Sequence, residues 1–202
     1  MSANQKQIDD MVACLEQGGV VMAPTDTVYG LAASAKHPAA VDRIYELKQR
    51  PRHMNLPIMV ASLDDLLPLG VEINDTARQL AASPFVPGAI TLVVGFKDKP
   101  LVPWLDGRDE IAFRIPQHDL FLAALRRTGP LLVTSANKSG IDVATAPDNI
   151  LPQLHGTPDL VIDGGAIDVI PSTLINCRTD PPQALRIGAV AVDQLKPYIS
   201  IY

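Results

Sequence analysis

Short apolar runs, each stopped within a few residues by proline, glycine or a polar loop, set the tightest limit on how this chain can fold. Residues 20–23, 56–61, 90–96, 111–115 and 131–134 are such runs. Their length suits strands buried on both faces better than helices. Helical patterns lie between them. Ile8, Met11, Val12 and Leu15 recur at i, i+3, i+4 and i+7 and predict a helix over residues 4–17, stopped by Gly18 and Gly19. Pro38 suits the first turn of a second helix, with Val41, Ile44, Tyr45 and Leu47 inward, which stops near Lys48 before Pro51. Ser62 with Asp65 approximates a capping box for a short helix ended by Pro68. Asn74 is expected to cap a helix through residue 81, and residues 118–127, 147–151 and 190–198 give further helical stretches. Residues 28–33 read as extended, and 160–162, 172–177 and 184–187 as strands. Gly95 suggests a bulge, and residues 98–107 form a loop around the sole tryptophan, Trp104. Some strands are joined through helices and others through tight turns. The expected class is therefore α/β, a mixed sheet flanked by helices.

A chain of 202 residues fits one domain spanning 1–202 and needs no staples to build a core. Its net charge of −5 gives no global attraction to nucleic acid or to an anionic membrane, so any anion site must be local. Cys14 and Cys177 sit in apolar surroundings outside any CxxC, which predicts buried reduced thiols. The four histidines form no metal pair at helical spacing. No apolar run approaches the roughly 18 residues that span a bilayer, and the first ten residues carry no signal-peptide core. A cytoplasmic protein without membrane contact is expected.

Four groups of residues carry chemistry. Lys48, Arg50 and Arg52, beside His53, gather cations at the end of the second helix. Arginine holds phosphate oxygens in a two-point fork and lysine adds a compact charge. A solvated helix end that offsets the helix dipole explains the same residues. Ser135 and Asn137 lie in the loop after an apolar strand, where a hydroxyl and an amide can face one ligand or merely cap a turn. Thr25 sits at the carboxyl end of the first strand, where open α/β sheets place ligands. Arg114 interrupts an apolar strand and must find an anion, either a ligand or one of the 22 acidic residues. No phosphate loop of the usual GxxxxGK[ST] or GxGxxG type is present, and no nucleophile elbow or Cys/His pair. Such a set fits positioning and charge stabilisation rather than covalent catalysis.

The segments PTDTVYGL (24–31), LKQRP (47–51) and TSANKSG (134–140) occur in that order, followed by PSTL (171–174) and Arg186 with Gly188. Together they resemble the YrdC-like family of threonylcarbamoyl-AMP synthases, over about residues 8–190. The resemblance implies a twisted mixed sheet with a concave substrate face. It implies an enzyme that joins L-threonine, bicarbonate and ATP, releases pyrophosphate, and feeds the threonylcarbamoyl modification of tRNA. Mg²⁺ would come with ATP, with no protein side chain as metal ligand and no organic cofactor. It assigns Lys48 and Arg50 to catalysis and the triphosphate, with Arg52 nearby. Thr25, Arg114, Ser135 and Ser172 fall to threonine, and Asn137, Thr145 and Arg186 to the nucleotide. Lys48 and Arg50 are then expected to matter for turnover and hardly at all for folding. Further partners would be tRNA or the proteins of the transfer step. Two other readings stay open: a divergent relative that binds RNA or nucleotide without this activity, and a carbamoyl-adenylate enzyme that uses carbamoyl phosphate.

Overall fold

Gly18 adopts a left-handed backbone (φ 78°) that a side chain would strain, and the first helix, α1 (Ala3–Glu16), ends just before it. The computed structural model describes residues 3–98, 103–105, 107–168 and 170–201. After α1 come β1 (Val21–Ala23), β2 (Gly30–Ser34), α2 (Pro38–Lys48), β3 (Ile58–Met59), β4 (Val71–Glu72) and α3 (Asp75–Ala81). Then follow β5 (Ile90–Phe96), β6 (Glu110–Arg114), α4 (Asp119–Thr128), β7 (Leu131–Ser135) and α5 (Pro147–Ile150). β8 (Leu160–Val161), β9 (Thr173–Asn176), β10 (Gln183–Arg186) and α6 (Val192–Leu195) complete the described residues.

The strands form one sheet in the order β10-β9-β5-β6-β3-β7-β2-β1-β8, with β4 on β5. β1 with β8, β3 with β6 and β5 with β9 run parallel, and the other pairs antiparallel, so the sheet is mixed as expected. Its two faces are treated differently. One face packs Leu31, Ile58, Leu92, Phe113 and Leu132 against Ile44 of α2 and Leu80 of α3. On the other face, Met11, Val12 and Leu15 of α1 and Phe121, Ala124 and Leu125 of α4 cover β1, β2 and β7. Register continues that second face through Met59 opposite Arg114, Ala112 opposite Val93, and Thr91 beside Leu174. There α1 and α4 no longer cover it, and a cavity opens.

Several boundaries differ from the sequence reading for local reasons. Within the run 56–61 the strand proper is Ile58–Met59; Pro57 has no N–H to give but its carbonyl accepts the Val133 amide, and the Val60 amide donates to the Arg114 carbonyl, both at 3.0 Å. Pro68 lies inside a 3-10 helix, Leu63–Leu69, instead of ending it. In the residues before that helix, Asp65 accepts the Ala61 and Ser62 amides, both at 2.9 Å. Gly95 is paired regularly on both sides, and the register shift falls between Ala184 and Arg186. The two-residue β4 was not foreseen, since so short a strand shows no period. The closing helix is one turn, and Cys14 is half-buried whereas Cys177 is buried. Part of the loop 98–107 lies outside the described residues, and residues 103–105 form a 3-10 turn. Among the described residues no helix is long and apolar enough to cross a membrane.

Asn74 behaves as expected and does more. Its Oδ1 accepts the Ala77 amide at 3.0 Å, and its Nδ2 donates to the Cys177 carbonyl at 2.5 Å. One side chain thus caps α3 and ties it to the strand end after β9. Asn74→Ala removes both bonds and is expected to cost about 2 kcal/mol, read as a lower urea midpoint with an unchanged slope.

Candidate active site

The cavity has a volume of about 520 Å³, within the usual range for a small-molecule site. Its floor is the uncovered sheet face, with Met59, Thr91, Val93, Ala112 and Val133. Its polar rim combines most of the residues selected from the sequence. Thr25, Arg50, Arg114, Ser135, Asn137, Ser172 and Arg186 all line it. Chain segments as far apart as 25 and 186 meet because β9 and β10 join the sheet beside β5, while β2 and β7 pair on the other side of β3 and β6.

Thr25 stands at the end of β1, in a tight turn. Its hydroxyl donates to the Val28 carbonyl at 2.6 Å and accepts the Thr27 and Val28 amides, both at 3.1 Å. Burial and these bonds fix the turn and present Thr27 beside it. Arg114, at the end of β6, is only 5% exposed. Its Nε donates to the Gly88 carbonyl at 2.9 Å and its Nη1 to the Thr27 hydroxyl at 2.6 Å. Nη2 lies 2.8 Å from an Asp26 carboxylate oxygen, an ionic distance, yet has no aligned hydrogen-bond acceptor. Burial pulls the Arg114 guanidinium below its ordinary value, Asp26 opposes that, and Arg186 adds a like charge. The internal acid that the sequence left unnamed is therefore Asp26.

Ser172 is buried and shares a 2.8 Å hydrogen bond with the Thr91 hydroxyl. Arg186 donates to the Ser172 carbonyl from Nε at 3.1 Å and from Nη2 at 2.9 Å. Gly188 has to be glycine here, since a Cβ would lie 2.0 Å from the Pro171 carbonyl oxygen. That close approach lets the strand end fold back over Ser172.

The cations of the LKQRP segment separate. The α2 helix ends in a left-handed Gln49 (φ 49°), which turns the following residues toward the cavity. Arg50 is half-buried, lines the cavity, and donates to the Met54 carbonyl at 3.1 Å and the Asn55 carbonyl at 2.8 Å. Burial lowers its pKa. Arg52 points elsewhere: it pairs with Asp42 and lies 4.8 Å from the Tyr45 ring centre. It is absent from the lining, as is Thr145, which is exposed and whose carbonyl accepts the Ile167 amide at 3.0 Å. The single cationic cluster expected from the sequence is not formed, because Asp42 and Tyr45, within α2, draw Arg52 onto the outer face of that helix.

Lys48 departs furthest from expectation. It is 1% exposed and does not line the cavity. Its Nζ donates to the Ser135 carbonyl at 2.5 Å, the Asn137 carbonyl at 2.6 Å and Asn137 Oδ1 at 3.1 Å. The same Oδ1 accepts the Ser135 hydroxyl at 2.6 Å, and Asn137 Nδ2 donates to the Ile141 carbonyl. Lys48 therefore shapes the loop 135–141 from behind. Thr27, Thr91, Asn55 and Asp26 were missed by sequence reasoning. Thr27 and Asp26 stood inside the PTDT motif, whereas Thr91 and Asn55 carry no local signal.

Comparison with known proteins agrees with this architecture. The profile of the Sua5/YciO/YrdC family, described as "Telomere recombination", matches residues 13–188. The chain belongs to that family. The Bacillus subtilis threonylcarbamoyl-AMP synthase is 36% identical, over 98% of this chain and 58% of its own length. The Pyrococcus abyssi synthase is 35% identical, over 92% of this chain and 55% of its own. The chain thus spans little more than half of these two relatives. The crystal structure of P. abyssi Sua5 complexed with L-threonine superposes with a TM-score of 0.87 at 33% identity, covering 98% of this chain and 59% of that one. Escherichia coli YciO superposes with a TM-score of 0.82 at 28% identity, covering 96% and 94%.

Lys48→Ala is now expected to destabilise the protein, against the sequence reading. It strands two carbonyls and an amide oxygen, at a cost on the order of 3 kcal/mol, while Arg50→Ala costs much less. Burial and the like charge of Arg50 push the Lys48 ammonium down to about 7, from 10.5. The folded chain gives up this proton before the unfolded one, so the unfolded chain binds more protons between those values. The Lys48 contribution to stability therefore rises with pH from about 7 upward and falls as pH drops to 7. Urea unfolding of wild type and Lys48→Met from pH 6.5 to 9 should show that slope in wild type and lose it in the variant.

Proposed function

We propose that this protein is a threonylcarbamoyl-AMP synthase, a nucleotidyltransferase that makes threonylcarbamoyl-adenylate from L-threonine, bicarbonate and ATP. One observation carries the reading: three arginines, 50, 114 and 186, share a cavity with the hydroxyls of Thr25, Ser135 and Ser172. That set suits a polyanion together with a small hydroxylated amino acid. The relative crystallised with L-threonine has the same fold, which supports threonine as the amino acid.

In this reading bicarbonate gives CO2 with loss of hydroxide, the neutral threonine amine bonds to its carbon, and the amine proton leaves with that hydroxide as water, giving a carbamate. A carbamate oxygen then attacks the α-phosphorus, its P–O bond forms as the bond to pyrophosphate breaks, and pyrophosphate leaves with its electron pair. Arg50 neutralises phosphate charge, and Mg²⁺ arrives with the triphosphate as part of the substrate. Arg114 takes the threonine carboxylate, and Thr25, Ser135 and Ser172 face the amino acid. Asn137 and Arg186 face the nucleotide. Lys48 acts through the loop it holds and is a positioning residue. Arg52 and Thr145 keep no assigned contact. The adenylate would pass to tRNA through the transfer proteins, in the cytoplasm.

The test is an end-point assay with ATP, Mg²⁺, L-threonine and bicarbonate, following pyrophosphate and the adenylate by mass. Product that requires both threonine and bicarbonate is expected. Arg50→Ala should lower turnover at least tenfold while shifting the melting temperature little. Nucleotide binding without product would overturn the reading in favour of a nucleotide- or RNA-binding relative, a span-matched likeness to E. coli YciO being the observation behind that second reading.

A further inference from the structure

The Arg114 guanidinium is held unequally on its three nitrogens. Nε and Nη1 have aligned acceptors in Gly88 and Thr27, which fix the plane of the group. Nη2 has charge balance from Asp26 at 2.8 Å but no aligned hydrogen-bond acceptor. Asp26 therefore holds Nη2 through charge rather than through a well-aligned hydrogen bond, which leaves room for a better-aligned carboxylate there. The Asp26 side chain is 15% exposed, against 6% for Arg114, and Asp26 is the exposed residue between the buried Thr25 and Thr27. Among the described residues this ion pair is the only polar contact recorded for that carboxylate. Of the three partners of Arg114, Asp26 is the most exposed.

The charges around this point narrow what the partner is. Arg186 repels Arg114 from across the cavity, and His118, on the start of α4, senses Asp26 from behind. Glu110 also lines the cavity, but it is engaged with Arg178 at 2.5 Å. An incoming carboxylate would meet Nη2 with Arg186 in favour, and it would compete with Asp26 alone.

We propose that Asp26 is a specificity-determining residue that holds the place of a carboxylate on Arg114 and yields it to the amino-acid substrate. The proposal rests on the reading that Arg114 receives the amino acid. Asp26 keeps the buried guanidinium charge-balanced until the substrate arrives. It also sets a threshold: amines and amides without a carboxylate cannot replace it, since they would leave the guanidinium uncompensated.

The experiment uses the full chain as wild type, Asp26→Asn, Asp26→Glu and Arg114→Lys, with L-threonine and with threoninol, which lacks the carboxylate. Calorimetric titration and thermal melting give the readouts. Asp26→Asn is expected to melt below wild type alone, to bind L-threonine at least threefold more tightly, and to show a larger threonine-induced melting shift. Threoninol should gain nothing, and Asp26→Glu should stay near wild type. Equal or weaker threonine binding by Asp26→Asn overturns the proposal, and so does an Asp26→Asn chain that stays unfolded in saturating L-threonine. If wild type binds L-threonine no better than Arg114→Lys does, the assignment of Arg114 itself fails. If Arg114→Lys loses binding and Asp26→Asn does not tighten it, only the exchange at Asp26 fails.

Discussion

A buried ammonium must be surrounded by oxygen, and Lys48 meets that demand with three oxygens on one loop. The demand links the end of α2 to the loop after β7, nearly ninety positions apart in the chain. The Lys48 carbonyl adds a second tie by accepting the Ser139 amide at 2.9 Å. Arg50 leaves the same helix end, two residues on, and reaches the cavity. The placement of Arg50 in the cavity and the shape of the Ser135–Asn137 loop are therefore two results of one buried charge.

Arg114 does the same work on the other side. Its contacts reach the turn after β1 through Thr27 and Asp26 and the loop before β5 through Gly88. Thr91 and Ser172 continue the chain of contacts to the β9 side, and Arg186 closes it. Most polar groups named in the wall are held by another, so much of the cavity is built before a ligand enters. A pre-formed wall of this kind suits chemistry that rests on orientation and charge.

Much of the fold was legible in the sequence. The α1, α2 and α4 helices and the β1, β5, β6 and β7 strands lie within two residues of expectation, since periodicity and Pro or Gly stops are local signals. The two-residue strand β4 is set by pairing with β5, which no local pattern records, and β3 is shorter than the run 56–61 that announced it. In the site, motif order picked out seven lining residues correctly as neighbours. Lys48, Arg52 and Thr145, chosen with them, do not line the cavity, because residue type and spacing do not say which way a side chain turns.

The sequence by itself determined the class of fold, the family and the presence of one arginine that had to find an anion, all consequences of residue types and their order. Only the tertiary structure decided that the anion is Asp26, that Lys48 faces inward and Arg52 outward, and that Thr91 completes the wall. Those outcomes depend on desolvation and on which oxygens lie within about 3 Å of a buried charge. Such distances exist only after strands from distant parts of the chain have been laid side by side.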